Sequence, residues 1–183
     1  MSSEIMSLEM DVFCLLLLIR ILYQMYINRE QNDHWNYFYY LIAWACVYLF
    51  MDAIWIMNVK HFLTFSKIQS GIFNSFYFCS LAMLVCSWYV YVQKTLHSAV
   101  LKHKKILVLT FIPLIFFIGS SLLSYWTHGL FVIDQAGNYH RGKLLPFYFL
   151  ILFAYILYLS IKAGYLSKKA KNYLYQKEYK VIV

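Results

Sequence analysis

Three polar side chains lie inside long apolar segments of the sequence, where such residues are rare and often functional. Arg20 lies in the first segment, Asp52 in the second and Asn74 in the third. At 1.5 Å per residue, and with alternate segments running in opposite directions, they lie about 12, 9 and 9 Å from the same side. We therefore predict an Arg20–Asp52 ion pair, to which Asn74 could add a hydrogen bond. Such a pair either fixes the register of two helices or lines a ligand pocket. The alternative is that Arg20 snorkels, extending its charged end to the membrane surface.

Polar and aromatic residues recur at three- and four-residue spacing in two of these segments, which places them on one face of each helix. The second segment has this stripe at Tyr37, Tyr40 or Leu41, Trp44, Tyr48 and Asp52. The third has it at Ser70, Asn74, Tyr77, Leu81 and Leu84. Two stripes that face each other could enclose a small cavity open to the outside. Tyr48, Asp52 and Asn74 are therefore candidate ligand-binding residues.

The loop of residues 127–144 is a second candidate site. Residues 131–134 predict a short extended segment, residues 135–138 (Gln-Ala-Gly-Asn) a tight turn, and residues 139–142 a return to the membrane. The candidate signal-binding residues of this lid-like hairpin are Asp134, Asn138, Tyr139 and Arg141. Arg141 could pair with Asp134 or present its guanidinium group to an anionic ligand.

The same loop contains His128, His140 and Asp134, which could in principle bind a metal ion. Three such ligands in a mobile loop are weak evidence for a metal site. No metal and no other cofactor is expected. Catalysis within a membrane requires a nucleophile–base pair, a metal set or two aspartates at matched depth. Only one acidic residue lies inside the predicted spans, so we do not expect an enzyme.

Composition identifies the elements that must position these residues. Of the 183 residues, 62% are apolar and 13% charged, against about 45–50% and about 25% in soluble domains. Five apolar runs approach or exceed the roughly 20 residues that span a bilayer. We predict an all-α integral membrane protein, a bundle of five transmembrane helices. The predicted spans are residues 12–28, 37–58, 68–93, 106–126 and 145–166. A soluble enzyme, a disordered chain and a disulfide-rich secreted fold are excluded.

The distribution of basic residues predicts the orientation, because Lys and Arg gather on cytoplasmic loops. Eleven lie on one side of the predicted bundle and four on the other. This places the N-terminus outside and the C-terminus in the cytoplasm of a multi-pass protein of the cell (inner or plasma) membrane. The net charge of +8 then lies almost entirely on the cytoplasmic side, where it favours contact with anionic lipid of the bilayer. No nucleic-acid partner is expected.

The chain divides into a transmembrane domain, residues 1–166, and a basic cytoplasmic tail, residues 167–183. The tail ends on Tyr-Lys-Val-Ile-Val, which is typical of the start of a further apolar segment that is cut short. The sequence is therefore compatible with a fragment of a larger receptor and with a short, complete protein.

The loop motif F-x-I-D-x-x-x-N-Y-x-R-G resembles the multi-span N-terminal sensor region of Firmicutes membrane receptors. The matching positions are Phe131, Ile133, Asp134, Asn138, Tyr139, Arg141 and Gly142. Weaker similarities are Asp52 with Trp55 and Trp88 with Tyr91. In that family the sensor region precedes a diguanylate cyclase (GGDEF) domain or a histidine kinase. This sequence contains no signature of either output domain.

The resemblance implies a sensory receptor module that detects an extracellular or membrane-borne signal and passes a helix rearrangement to a cytoplasmic output. The signal would be a small molecule or a peptide. The output would be cyclic-di-GMP or phosphotransfer signalling through a separate domain or partner protein, and a homodimer is compatible with this role. The alternative functions are a small transporter or channel subunit and an accessory membrane protein. A transporter predicts internal repeats, and none is visible in the sequence.

Overall fold

Long apolar runs with few glycines and prolines favour helices, because a helix satisfies its own backbone hydrogen bonds without water. The computed structural model describes residues 2–27, 33–59, 62–63, 65–96, 104–134 and 139–169. Five helices lie in this part of the chain: α1 (Ser2–Ile27), α2 (Asp33–Val59), α3 (Lys67–Thr95), α4 (Lys104–Thr127) and α5 (Leu145–Lys169). The predicted all-α architecture is confirmed. The tail beyond residue 169 lies outside the described residues.

Four of these helices are long and apolar enough to cross a membrane: Leu8–Ile27, Asn36–Asn58, Lys67–Thr95 and Leu145–Tyr165. This supports a membrane protein. The apolar stretch described in α4 is shorter, Phe111–Thr127, and the helix contains Pro113. The predicted span at residues 106–126 therefore coincides with a helix, of which Phe111–Thr127 is the described apolar part.

The start of α1 differs from the sequence prediction. The first span was expected to begin at residue 12, after an acidic leading segment. Instead the helix begins at Ser2 and its apolar stretch at Leu8. The residues that precede position 12 include Met, Leu and Glu, which are good helix formers. The helix therefore extends through this segment, including its polar residues. As a consequence, Asp11 lies inside the first candidate span.

Helix α3 is the central element, and α2, α4 and α5 all pack against it, while α1 packs against α2. A capping box begins α3: the Ser66 hydroxyl accepts from the Gln69 N–H, and the Gln69 side chain accepts from the Ser66 N–H. Such reciprocal bonds satisfy two N–H groups that the first turn leaves free. The capping box therefore defines where α3 begins.

Two short strands lie between α4 and α5. Strand β1 (Phe131–Ile133) pairs antiparallel with β2 (Tyr139–Arg141), and Ile133 lies opposite Tyr139. The predicted hairpin is therefore confirmed in its strands, while its turn, residues 135–138, lies outside the described residues. The Ser124 hydroxyl accepts the backbone N–H groups of Leu130 at 2.8 Å and Phe131 at 3.1 Å. The end of α4 thus holds the start of the hairpin.

The main core lies where α3, α4 and α5 meet under this hairpin. Its fully buried rings include those of Phe131 and Tyr148, and the Tyr148 hydroxyl donates to the Phe78 carbonyl. A second buried cluster lies at the opposite end of α3 and α5. There the Lys162 ammonium donates to the Gln93 side-chain oxygen at 2.7 Å. The two clusters hold α5 against α3 along most of its length.

Candidate functional site

Helices α2 and α3 face each other through their polar and aromatic stripes, as predicted. The Tyr48 and Tyr77 hydroxyls lie 3.4 Å apart, and their ring centroids are 5.6 Å apart. Trp55, one turn beyond Asp52, stacks on Tyr77 at 6.2 Å with an interplanar angle of 18°. Leu41 rather than Tyr40 continues the stripe on α2, since Leu41 is buried and Tyr40 is 60% exposed. Aromatic rings therefore fill the space between the two stripes.

Asp52 lies half-buried within this set, beside the Tyr77 hydroxyl and beside the carboxyl group of Asp11. Asp11 comes from α1, and its Oδ2 atom is buried without a hydrogen-bond partner. We call Asp11, Tyr48, Asp52 and Tyr77 the carboxyl–tyrosine cluster. It joins three helices at one level near the outer end of the predicted bundle.

The predicted Arg20–Asp52 pair does not form. Arg20 is exposed on α1 and makes no ion pair with any described residue. Along α1 it lies nine positions from Asp11, which is about 13 Å at 1.5 Å per residue. The prediction measured depth from residue 12 and therefore assigned Asp11 to the exterior. The helix that begins at Ser2 instead brings Asp11 to the level of Asp52.

Two adjacent carboxylates repel each other when both are ionised, and the repulsion increases as apolar groups replace water. The packing of α1 on α2 at this level therefore depends on what neutralises the pair, a proton or a cation. The sequence contained one signal for Asp11. Counted from Asp11, residues at separations of three, four, seven, eleven and fourteen lie on the same face of the helix. They are Cys14, Leu15, Leu18, Leu22 and Met25, and this face is the more buried one of α1.

Asn74 is 2% exposed, but the structure does not show it bonded to Asp52. Its side-chain amide donates to the Ser70 carbonyl at 2.8 Å, and its side-chain oxygen is buried without a partner. Such bonds from a side chain to the carbonyl four residues earlier are common for polar residues within helices. Asn74 remains a candidate residue next to the cluster rather than a demonstrated member of it.

The hairpin contacts the cluster through Tyr139. Its ring lies edge-on to Trp55 with centroids 5.8 Å apart, and on its own sheet it stacks on Phe131 at 6.5 Å. Burial raises the pKa of the Tyr139 phenol, an effect that the Arg141 guanidinium partly offsets. Tyr139 is therefore a neutral aromatic contact between the hairpin and α2.

The other predicted residues of the hairpin are Asp134, Asn138 and Arg141. The Asp134 carboxylate lies 3.3 Å from Nε2 of His140, rather than pairing with Arg141. Arg141 is exposed, and Asn138 lies outside the described residues. Within the described part of the chain, no group of three or more His, Cys, Asp or Glu side chains is placed to hold a metal ion.

No protein-family model matches the chain, and comparison with curated proteins and with solved structures finds no match.

Proposed function

We propose that this chain is a membrane-embedded sensory module, with five transmembrane helices, the N-terminus outside and the C-terminus in the cytoplasm. The observation that supports it best is the position of Trp55. The Trp55 ring lies perpendicular to the ring of Tyr139 in the hairpin, and it stacks on Tyr77 of the carboxyl–tyrosine cluster. The hairpin therefore contacts α2 directly through Trp55. It is linked to α3 and α1 through the carboxyl–tyrosine cluster.

The proposed mechanism uses two helix arrangements whose populations a signal changes. A signal can shift such an equilibrium only if it binds the two arrangements with different affinity. A ligand that draws the hairpin away from Trp55 would remove one of the two aromatic contacts of this side chain and leave only its contact with Tyr77. A ligand that adds or removes positive charge beside Asp11 and Asp52 would change how α1 packs on α2. Either change reaches the cytoplasmic ends of the helices.

The resemblance of the hairpin motif to receptor sensor regions supports the same function. In this proposal Tyr48, Asp52, Asn74, Asp134, Asn138, Tyr139 and Arg141 are the candidate signal-binding residues. The output is a cytoplasmic domain or a separate protein.

The test measures distances between spin labels in the full chain in lipid nanodiscs. The labels replace Ile27 on α1 and Ile161 on α5, which are both exposed, after the four native cysteines are changed to alanine. Because the signal is unidentified, the perturbation is Tyr139→Ala, which removes the ring against Trp55. We expect the distance distribution to shift by several ångströms or to change its population ratio.

The matched control is His140→Ala, next along the same strand but with its exposed side chain on the other face. It should leave the distribution as in the unsubstituted chain. Asp52→Asn, which removes one charge from the carboxyl pair, should shift the distribution as well. If all three variants give one unchanged distribution, the hairpin and the cluster are not coupled to the helix ends, and the proposal is wrong.

A further inference from the structure

Helix α1 has two opposite faces with different surroundings. The face that contains Asp11 packs towards α2. The opposite face has residues at alternating spacings of four and three, all of them exposed: Glu9, Phe13, Leu16, Arg20, Tyr23 and Ile27. We call this set the outer seam. Alternation of four and three is the spacing with which one helix packs along another.

Arg20 distinguishes the outer seam from a surface that only contacts lipid. It lies about 18 Å from Leu8 and about 10 Å from Ile27 along the helix axis. Helical side chains lean towards the N-terminal end of their helix, so Arg20 leans away from the nearer membrane surface. An unpaired guanidinium group at this depth is costly. A counter-charge at the same depth would remove that cost.

The chain itself does not supply that counter-charge within its described residues. Asp11 and Asp52 already face each other. Glu9 lies eleven positions from Arg20 on the same helix, which is about 16 Å along the axis. A second copy does not supply it either. A two-fold axis along the membrane normal would place Arg20 opposite Arg20, and the α1 carboxylates of that copy would lie at the level of its own Asp11.

We propose that the outer seam of α1 binds a transmembrane helix of another protein, and that this helix contains a carboxylate at the depth of Arg20. An open, shallow depression of about 360 Å³ on the surface of α1, lined by Leu8, Glu9, Val12, Phe13 and Leu16, offers an apolar contact to the partner helix. Polar pairs of this kind hold membrane helices together where lipid gives no hydrophobic driving force. The inference depends on membrane insertion, which the proposed function includes, but not on sensing.

The test uses a synthetic Leu/Ala transmembrane peptide as the probe, since the partner is unidentified. It has one Glu seven residues from its C-terminal end, the depth of Arg20, and control peptides have Gln or Leu there. The full chain with a fluorescent donor is reconstituted in phosphatidylcholine vesicles, and energy transfer to labelled peptide is measured. We expect the Glu peptide to associate at least tenfold more tightly than the Leu peptide.

Arg20→Leu should abolish this preference, and Arg20→Lys should retain part of it. Arg20→Glu should reverse it, so that a peptide with Lys at the same position binds best. The Arg20→Leu chain gains an apolar residue in its span, so insertion is expected to survive. Protection of α1 from added protease confirms insertion before each measurement, which separates a failed seam from a chain that is not in the membrane.

Three results would overturn the proposal. The first is equal association of the Glu and Leu peptides with the unsubstituted chain. The second is loss of the preference when phosphatidylglycerol replaces part of the phosphatidylcholine, which would identify a lipid headgroup as the counter-charge. The third is association of labelled copies of the chain with each other, seen as energy transfer between them, that prevents binding of the peptide. This would identify a second copy as the occupant. None of these results bears on the distance measurement that tests sensing.

Discussion

The Tyr148 hydroxyl donates to the backbone carbonyl of Phe78, a residue of the neighbouring helix α3. That carbonyl belongs to a helix, so its second lone pair would otherwise face apolar side chains. Tyr148 is fully buried, and its ring also lies edge-on to Phe78 and to Phe117. One side chain thus joins three helices of the core by both polar and apolar contacts.

We expect Tyr148→Phe to lower the stability of the protein by about 1 kcal/mol, the usual net contribution of one buried hydrogen bond. The change keeps the ring and removes only the hydroxyl. Thermal unfolding of the detergent-solubilised chain, followed by circular dichroism, measures the effect. Tyr158→Phe on the same helix is the control, because Tyr158 is exposed. Removing its hydroxyl should leave the unfolding temperature unchanged. Equal transitions for both variants would show that the buried hydroxyl adds nothing.

Residue types alone identified most of the polar side chains near the site but not their pairing. Tyr48 and Asp52 were predicted because they interrupt an apolar segment at helical spacing. Asp11 was missed because the span was taken to begin after the last charge before the apolar run. The partner of Asp52 depends on the register of α1 against α2, and ten additional helical residues change that register. Periodicity within one segment contains no information about the offset between two.

At the scale of elements, the hairpin depends on a close backbone approach at Gly142. Its N–H donates to the Leu130 carbonyl at 2.8 Å, and the Leu144 N–H donates to the Gly129 carbonyl at 2.9 Å. A Cβ atom at position 142 would overlap the Gly129 carbonyl oxygen. Because the obstacle is backbone, no side-chain rotation can make room for it.

Gly142→Ala should therefore destabilise the hairpin by about 1–3 kcal/mol, the cost of leaving buried backbone groups without partners. Amide hydrogen exchange of β1 and β2 should become faster, while exchange in α3 stays slow. Gly119→Ala, in the middle of α4, is the comparison. A Cβ there meets no atom within 4 Å, and alanine favours the helix. An unchanged hairpin in the Gly142 variant would contradict the role of this contact.

The hairpin was the element that sequence predicted best, since Gly and Asn between two short β-prone runs identify a turn within a few residues. The hairpin, predicted to be lid-like, is however bonded to α4 and packed against α3. Ser124 accepts two backbone N–H groups from the start of the hairpin, and Phe131 stacks on Phe78. The contact between Phe131 and Phe78 does not follow from local patterns, because only tertiary packing brings these two residues together.

For the whole molecule, the number of spans depends on α4. If α4 crosses the membrane, the end of α2 and the start of α5 lie on the same side, as the distribution of basic residues predicts. If α4 lies along the surface, the start of α5 lies on the opposite side, with the end of α3. Four spans and five spans therefore differ in the location of Lys143.

We expect cysteine at Lys143 and cysteine at Ser66 to react with a membrane-impermeant maleimide in intact cells. Cysteine at Thr95 should react only after permeabilisation, because Thr95 ends α3 on the side predicted to be cytoplasmic. The chain without native cysteines is the background. Labelling of Lys143→Cys only after permeabilisation, together with outside labelling of Ser66→Cys, would show that α4 does not cross.

The contacts of Trp55 also give the protein an optical reporter of its own. The indole lies between the phenol rings of Tyr77 and Tyr139, at 6.2 and 5.8 Å. Indole emission shifts with the polarity of its surroundings, and the departure of Tyr139 would admit lipid headgroups or water to one edge. With the other four tryptophans changed to phenylalanine, the wavelength of maximum emission would report whether Tyr139 of the hairpin is in contact with Trp55. Candidate signals could then be screened on unlabelled protein, before any downstream component is known.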